Sequence, residues 1–317
     1  MKNILITSSG KRVGLVRAFQ DTLRKHDSSA KVFTVDMNPD MAPACIVSDG
    51  AFRVNRVTDR LYIPQLLTIC QQNDIAVIIP TIDTELLILS ENKEYFAKHG
   101  ISVLVSDFDF ISSCRDKRKT NVLFENLGVR IPSVIDINKP TFPIFAKPYD
   151  GSLSQGIVLI NSADELTIDI INNPKLMFME YIDKSIYKEF TVDMYYGKDN
   201  ILKCIVPRER IEIRAGEINK GCTRKNKVQN ELRKIFNHID GVVGAICVQV
   251  FFCEASGDIV AIEINPRFGG GYTMSYAAKA NFPDMIVREY LLLEDIEFED
   301  DWVDNQMILR YDCDLIC

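Results

Sequence analysis

Hydrophobic positions in the first third of the chain alternate between short β-branched runs and amphipathic stretches. The runs predict strands at residues 3–7, 32–35, 77–80 and 101–105, and the amphipathic stretches predict helices that end near Lys25 and cover 86–98. Alternation of strands and helices is typical of a parallel sheet with helices on both faces. The pattern therefore predicts an N-terminal doubly wound α/β domain at residues 1–110.

The loop Ser8 to Gly14 follows the first predicted strand and leads into a helix. It has neither the Walker A spacing nor the G-x-G-x-x-G fingerprint, so a tight turn is the simpler interpretation than a phosphate site. Loops at the carboxyl ends of parallel strands form the usual binding crevice. We therefore expect this loop, with Asp83 and Glu85 beyond the third strand, to help hold an acceptor substrate.

A Gly/Ser-rich loop connects two predicted strands in the middle of the chain. The first strand ends at Lys147, and the loop runs from Gly151 to Gly156. Glycines permit positive φ and a close approach to a ligand, and backbone N–H groups with the hydroxyls of Ser152 and Ser154 could surround phosphate oxygens. The alternative is a flexible hairpin with a solvated lysine.

Polar residues interrupt two later strand patterns. The pattern over 175–182 carries Glu180 near its end, and the pattern over 188–196 places Glu189 and Asp193 on one face. This face predicts either a wet cleft or an ordinary exposed sheet surface.

A third polar set closes the buried run 259–264. Glu263 and Asn265 point to the same side of that strand because side chains alternate, and Arg267 follows. A carboxylate, an amide and a cation together suit Mg²⁺ carrying phosphates, and Arg267 could meet charge that develops on a transferred phosphoryl group. A plain strand-end turn explains this stretch equally well.

Composition narrows the class of partner. The 317 residues are 47% hydrophobic and 26% charged, with a net charge of −7 and no dominant basic run, which disfavours nucleic acid. No apolar run reaches the about 18 residues of a membrane helix. Nine scattered cysteines without a C-x-x-C pair fit reduced thiols. Because the chain also begins directly on a strand pattern, we expect a cytoplasmic protein.

Taken in order, seven motifs resemble the ATP-grasp superfamily. They are D-K at Lys117, A-K-P at Lys147, the Gly/Ser loop, M-E-Y-I at 179–182, K-E-F-T-V-D at 188–193, V-Q-V at 248–250 and I-E-I-N-P-R at 262–267. The chain is most similar to the carbamoyl-phosphate-synthetase-like and biotin-carboxylase-like branch. The resemblance implies a mixed α/β and α+β chain, in which the doubly wound pre-ATP-grasp domain precedes a two-lobed ATP-grasp fold with lobes at 111–185 and 186–317.

The resemblance also implies a role for each motif. The phosphates of ATP would contact Lys117, Lys147 and the mobile loop with Gly151, Ser152, Ser154 and Gly156. Adenine would contact the carboxylate of Glu180 and the backbone through Tyr181 and Ile182, and ribose would contact Glu189. The Mg²⁺ ion would be bound by Gln249, Glu263 and Asn265. Arg267 and Asn265 are the implied catalytic residues, with Arg267 steadying the transition state. Many relatives have a carboxylate at the position of Gln249, which leaves a second Mg²⁺ site open, and cross-strand hydrogen bonding is the alternative role for Gln249.

The cation-rich segment 207–223 faces the acceptor in that family. Arg208 and Arg214 are therefore predicted to bind a substrate carboxylate in bidentate fashion, and a solvated loop is the alternative. The leading hypothesis is an ATP- and Mg²⁺-dependent ligase that joins a small-molecule carboxylate to an amine, or a related nucleophile, through an acyl phosphate. A homodimer is possible by family analogy. The alternatives are a non-catalytic ATP-binding subunit or sensor of a split synthetase, and a dehydrogenase, which the missing glycine fingerprint disfavours.

Overall fold

A five-stranded parallel sheet forms the N-terminal part of the computed structural model, which describes residues 1–151, 156–214 and 216–316. Its strands are β1 (Asn3–Thr7), β2 (Val32–Asp36), β3 (Gly50–Arg53), β4 (Ile75–Ile79) and β5 (Ser102–Val103), in the order β3-β2-β1-β4-β5. The helices are α1 (Val13–His26), α2 (Pro43–Val47), α3 (Tyr62–Gln72), α4 (Asp83–Glu91) and α5 (Lys93–Ala97), with a 3₁₀ turn at Pro39–Met41.

Both faces of this sheet are buried. Ile4 and Ile6 belong to the core that contains α1, and Leu5, on the opposite face, belongs to the core that contains α3 and α4. The four predicted strands are therefore present on a doubly wound sheet, but β3 and α3 were not predicted. The single helix predicted over 86–98 is two helices, because Asn92 ends α4 and its side-chain amide donates to the carbonyl of Ile88.

A small antiparallel sheet follows two helices, α6 (Phe108–Arg115) and α7 (Lys117–Asn126). The two helices are separated at Asp116, which caps α7 by accepting from the backbone N–H of Arg118. The sheet contains β6 (Ile144–Pro148), β7 (Val158–Ile160) and β8 (Leu176–Glu180), in the order β7-β6-β8, with a 3₁₀ turn at Ala163–Glu165 and α8 at Ile168–Ile171. We call this unit the small lobe.

A six-stranded antiparallel sheet completes the chain, and we call it the large lobe. Its elements are β9 (Lys188–Tyr196), β10 (Leu202–Arg214), β11 (Glu217–Thr223), α9 (Lys227–Ile235), β12 (Gly244–Phe252), β13 (Ile259–Asn265), α10 (Tyr272–Ala277), α11 (Phe282–Ile286), a π-helical turn at Val287–Leu291 and β14 (Met307–Leu309). The strand order is β13-β12-β9-β10-β11-β14. The final strand, β14, pairs with β11 at the edge of the sheet, and the chain stops being α-helical after Ile286, where the π-helical turn begins.

Two of the three units share a hydrophobic core, and the third has a core of its own. One face of the parallel sheet and part of the large lobe share a single core, in which Phe19 meets Phe268 at 5.9 Å between ring centroids and Phe268 meets Tyr272 at 4.8 Å. The small lobe has its own core around Ile144 and Ile160. The N-terminal sheet and the large lobe are thus packed into one body, while the predicted boundaries at 110 and 185 stay predictions.

Candidate active site

Three polar side chains meet at the ends of β12 and β13, where Gln249 and Glu263 are cross-strand partners. The side-chain amide of Gln249 donates to Glu263 Oε1 at 2.9 Å, and that of Asn265 donates to the same oxygen at 3.0 Å. Rotation of either amide would present its oxygen instead of its nitrogen. The set therefore offers one carboxylate and two amides at a single point, which are oxygen ligands of the kind that Mg²⁺ prefers.

Among the described residues, no group of three His, Cys, Asp or Glu side chains is placed to hold a metal ion. One carboxylate with two amides therefore fits an ion that takes most of its ligands from phosphate and water, rather than a metal held by protein alone.

Two lysines face this set. Lys147, on β6, is 5% exposed, and Lys117 begins α7 and donates to the carbonyl of Gly151 at 2.5 Å. The pKa of Lys147 is lowered to about 8 because burial and, to a smaller extent, the charge of Lys117 disfavour its charged form, while the charge of Glu263 acts in the opposite direction. Lys147 is therefore near enough to Lys117 and to Glu263 for their charges to interact, and we call the region between Lys147 and Glu263 the cleft. A buried lysine beside a second lysine is a favourable place for an anion.

The Gly/Ser loop is described at its two ends. Gly151 accepts from Lys117, and Gly156 has a φ of +71° with Pro148 so close that a Cβ there would lie 3.0 Å from its Cγ. Glycine is required at that position because other residues rarely adopt such a conformation. Ser152 and Ser154, predicted to contact phosphates, lie outside the described residues.

The carboxylate of Glu180 is bound by other groups of the protein, which corrects the predicted contact between this side chain and adenine. Its Oε1 lies 2.7 Å from Arg130 Nη2, and its Oε2 accepts from the backbone N–H of Ser133 at 3.0 Å. In the described part of the chain, the backbone N–H groups of Tyr181 and Ile182 donate to no protein acceptor. Only the backbone of these two residues therefore remains as the predicted adenine contact.

Arginines of β10 cover the polar face of β9, which was predicted to be a wet cleft or an exposed surface. Glu189 Oε1 lies 3.0 Å from Arg210 Nε, although that N–H is not aligned for a hydrogen bond. Glu189 Oε2 lies 3.3 Å from Lys184 Nζ. Thr191 Oγ1 accepts from Arg210 Nη1 at 3.1 Å. Glu189 keeps a partly exposed carboxylate, so the predicted ribose contact stays a prediction.

Arg208 does not face the cleft, and its predicted role as a substrate ligand needs correction. Its guanidinium makes two hydrogen bonds to Asp193, at 2.7 and 3.0 Å, and both residues are 1% exposed. Ser275 and Cys247 also donate to Asp193, at 2.5 and 3.1 Å. The two charges therefore neutralise each other inside the large lobe.

The same arginine holds the glycine run after β13. A Cβ on Gly271 would lie 2.5 Å from Arg208 Nη1, and a Cβ on Gly269 would lie 2.6 Å from Cys247 Sγ. The second predicted substrate ligand, Arg214, is at the exposed end of β10 and pairs with Asp312. Its guanidinium is thus paired at the surface, and its predicted role as a substrate ligand stays a prediction.

Arg267 lies where the N-terminal sheet meets the large lobe. Its Nη2 contacts Asp83 at 2.8 Å and donates to Asn265 Oδ1 at 3.1 Å, while its Nε is buried without a partner among the described residues. Burial lowers the pKa of Arg267, but the charge and hydrogen bond of Asp83 outweigh burial and raise it. The guanidinium is therefore a fixed cation beside the proposed metal ligands.

Arg12 is a candidate residue that the sequence did not single out. It lies in the loop after β1, donates to the carbonyls of Thr81 at 2.8 Å and Phe268 at 3.2 Å, and makes no carboxylate pair within the described ranges. Burial lowers its pKa to about 10, and the neighbouring charge of Arg267 contributes. The only signal in the sequence was its position at the carboxyl end of a strand.

Glu85, in contrast, serves the fold. This fully buried carboxyl accepts from the backbone of Thr81 at 2.7 Å, from Ser8 Oγ at 2.8 Å and from Tyr62 OH at 3.0 Å, and burial raises its pKa. It fixes the loops that carry Arg12 and Asp83 rather than contacting a ligand.

Two family models match the chain. The model for the PylC-like N-terminal domain matches residues 4–104, and the model for an ATP-grasp in the biosynthetic pathway with Ter operon matches residues 172–309. The resemblance to the ATP-grasp superfamily that was predicted from the sequence is therefore confirmed. The chain has the predicted fold class, in which a doubly wound N-terminal domain precedes an ATP-grasp fold.

Solved structures share the fold of this ATP-grasp protein. N5-carboxyaminoimidazole synthetase from Staphylococcus aureus, complexed with ADP, is 18% identical, with 97% of this chain and 80% of that chain covered at a TM-score of 0.67. Biotin carboxylase from Campylobacter jejuni, in a β-γ-ATP complex, is 16% identical, with 90% and 70% covered at a TM-score of 0.66.

A curated relative matches over a shorter stretch. The vancomycin/teicoplanin A-type resistance protein VanA from Enterococcus faecium is 34% identical over 79 residues, which are 22% of this ATP-grasp protein and 23% of VanA. The match therefore spans less than a quarter of that relative. Among the helices of the described residues, none combines the length and the apolar character that crossing a bilayer requires.

Proposed function

We propose that this protein is an ATP- and Mg²⁺-dependent ligase that joins a carboxylate to an amine through an acyl phosphate. The observation that supports the proposal most is the proximity of Lys147 to both Lys117 and Glu263, whose charges act on its pKa in opposite directions. Two lysines on one side and a carboxylate with two amides on the other suit a triphosphate with its metal ion. The two similar structures are complexes with ADP and with β-γ-ATP, which supports the choice of nucleotide.

Each group of side chains has a part in holding ATP. Lys117, Lys147 and the backbone from Gly151 to Gly156 hold the phosphates, Tyr181 and Ile182 present backbone groups to adenine, and Glu189 takes the ribose hydroxyls. Glu263, Asn265 and Gln249 would hold one Mg²⁺, which supplies charge neutralisation for the phosphate oxygens. Glu263 Oε2 accepts no hydrogen bond within the described residues, so it is the oxygen available to the ion.

The chemistry needs positioning more than proton transfer. A substrate carboxylate oxygen bonds to the γ-phosphorus and ADP leaves, which gives an acyl phosphate. The amine then bonds to the carbonyl carbon, phosphate leaves with the former carboxylate oxygen, and the amine loses a proton. Lys147 and Arg267 stabilise the charge that develops in these steps because they are fixed and largely buried cations.

The acid substrate belongs beside Arg12 and Arg267. These two guanidiniums lie close enough for the charge of Arg267 to lower the pKa of Arg12, and Asp83 is the carboxylate paired with Arg267. Arg12 makes no ion pair within the described residues, so its charge is the one available to a substrate carboxylate at the junction of the N-terminal sheet and the large lobe. That charge would orient a substrate carboxylate towards the γ-phosphate.

The test is transfer of an oxygen label. Purified protein is incubated with ATP, Mg²⁺ and a panel of carboxylic acids labelled with ¹⁸O, each with a panel of amines. We expect ADP formation together with ¹⁸O in the released phosphate for the acid that is used. ADP formation without label in phosphate would contradict the acyl-phosphate route, and absence of ADP with every pair would contradict the ligase assignment.

A second candidate is an ATP-binding protein without turnover, and Gln249 is the observation that favours it. A neutral ligand holds a divalent cation less strongly than a carboxylate, and here its amide nitrogen points at Glu263. ATP binding by the wild type without ADP formation would support this candidate.

Gln249→Glu tests how much the neutral ligand limits metal binding. We expect the variant to bind Mg²⁺ in the presence of ADP about tenfold more tightly, since an added charge on a metal ligand is worth about 1–2 kcal/mol or more at such a site. Titration of Mg²⁺ by calorimetry measures it. Gln71→Glu, at an exposed glutamine of α3, is the control, with no change in Mg²⁺ affinity expected. Unchanged affinity in Gln249→Glu would remove Gln249 from the metal ligands.

A further inference from the structure

Two chain segments connect the small lobe with the rest of the molecule, and both pass Arg130. One segment enters from α7 at 127–133, and the other leaves β8 towards β9 at 181–187. The carbonyl of Arg130 accepts from the backbone N–H of Ala261 on β13 at 2.8 Å, and the carbonyl of Ser133 accepts from that of Glu180 at 2.8 Å. The entry and exit of the small lobe are thus tied to each other and to the large lobe at one place.

The side chain of Arg130 joins both lobes as well. Its Nη2 lies 2.7 Å from Glu180 Oε1 at the end of β8, and its Nη1 contacts Asp258 in the turn between β12 and β13. Tyr187 OH donates to Asp258 Oδ2 at 2.8 Å. We call Arg130, Glu180, Tyr187 and Asp258 the hinge cluster. Two carboxylates from different lobes share one guanidinium, so the cluster holds the lobes at a fixed separation.

The hinge cluster adjoins the backbone that is proposed to contact adenine, because Glu180 is part of the cluster. Glu180 immediately precedes Tyr181 and Ile182, whose free backbone N–H groups face no protein acceptor within the described residues. The carboxylate of Glu180 therefore helps to fix the end of β8, together with the backbone hydrogen bond from Glu180 to Ser133, and so helps to set the direction of the adjoining backbone. The small lobe has a core of its own, so the apolar interior of the large lobe does not hold it in place.

We propose that Arg130 is a positioning residue for nucleotide binding, which fixes both the adenine-facing backbone at 181–182 and the angle between the lobes. The inference rests on the proposed function, since it takes ATP as the ligand of the cleft. Arg130 touches neither phosphate nor substrate in this scheme, so it acts on the affinity for nucleotide and not on the chemical step.

The character of the cluster separates this role from a purely structural one. The side chains of Arg130, Glu180 and Asp258 are 38%, 31% and 29% exposed, and exposed ion pairs contribute little to folding stability. Loss of the guanidinium should therefore affect nucleotide affinity far more than the free energy of unfolding. Because the pairs are partly in solvent, salt should weaken their effect.

Arg130→Met is the variant that tests the proposal. We expect the dissociation constant of ADP, measured by calorimetry, and the KM for ATP to rise about tenfold, a size typical of coupling between a conformational equilibrium and a ligand. kcat should stay within about twofold, because the fully bound state still closes. Arg130→Lys, which keeps the charge but loses the fork, should restore part of the affinity. The affinity difference between wild type and Arg130→Met should shrink at high salt.

Arg288→Met is the matched control. Arg288 is also partly exposed, at 27%, and also bridges carboxylates, which include Glu294 at 3.2 Å and Glu299 at 2.7 Å. It lies in the chain's final quarter, and its ion pairs involve none of the residues proposed to hold ATP. It should leave ADP affinity unchanged. If Arg130→Met proves unstable, Glu180→Gln keeps the shape and removes the ion pair, and the same rise in the ADP dissociation constant is expected.

The possible outcomes separate this inference from the proposed function. Wild-type affinity for ADP in both Arg130→Met and Glu180→Gln, with ATP turnover intact, would overturn the positioning role and leave the ligase proposal standing. An equal fall in affinity in Arg288→Met would also overturn it, because the effect would then be general. If the wild type itself binds no ADP, the proposed function fails and this inference fails with it.

Discussion

Replacing Lys147 with methionine is expected to lower ATP-dependent phosphate release by about 10²- to 10³-fold, the usual loss when one fixed charge-stabilising group is removed. Methionine retains most of the length of the buried side chain, which is 5% exposed, so the fold should tolerate it. Phosphate release under saturating ATP and metal, with the acid and amine found by the labelling test, measures the loss. Lys139→Met, at an exposed lysine of the segment before β6, should keep wild-type activity.

The pH dependence of the same residue has a definite sign. The pKa of Lys147 is lowered to about 8 in the folded protein, from an ordinary value of 10.5, because the charged form is disfavoured by burial. The unliganded fold is therefore stabilised by loss of this proton as pH rises from about 8 towards 10.5, while phosphate affinity falls over the same range. We expect kcat/KM for ATP to decline above about pH 8 in the wild type. A flat profile from pH 7 to 9.5 would contradict the role of Lys147 as a phosphate contact.

Replacing Arg208 with methionine should destabilise the protein by about 3–5 kcal/mol, because the substitution leaves the carboxylate of Asp193 buried without its partner. Urea denaturation measures this free energy, provided that the slope of the transition is unchanged. The double variant Asp193→Leu/Arg208→Leu should recover much of the loss, since a buried ion pair is often replaceable by apolar side chains. Wild-type stability in Arg208→Met would show that the pair is not a structural element.

Arg214→Met provides the comparison. Its guanidinium is 59% exposed and pairs with Asp312, which is 79% exposed, so the free energy of unfolding should not change measurably. Both arginines were predicted from the sequence to bind a substrate carboxylate. If that prediction were right, both variants would instead raise the KM for the acid and leave stability alone.

The sequence was sufficient to predict that polar side chains near the strand ends would lie together. Glu263 and Asn265 were predicted to share a face because side chains alternate along a strand, the resemblance to the ATP-grasp superfamily added Gln249, and the structure brings these three side chains together. The doubly wound sheet followed from the alternation of elements. These features depend on local pattern, which a single sequence expresses directly.

The features that were missed depend on partners distant in the chain. Arg208 looked available because Asp193, which neutralises it, lies 15 residues earlier on the neighbouring strand, and nothing in the sequence indicates that pairing. Glu180 is diverted by Arg130, 50 residues earlier. Arg12 becomes significant only where its loop reaches the carbonyl of Phe268, 256 residues later. Charge neutralisation across such separations requires the tertiary structure.

The core shared by the parallel sheet and the large lobe bears on how this protein could be engineered. A chimaera that exchanges residues 1–110 for those of another ATP-grasp protein would place a foreign helix against Phe268, Tyr272 and Phe282, whose rings pack with Phe19 and one another. Those three aromatic residues would have to be transplanted with the new segment. Grafting the small lobe, which carries its own apolar interior, should need far fewer compensating changes.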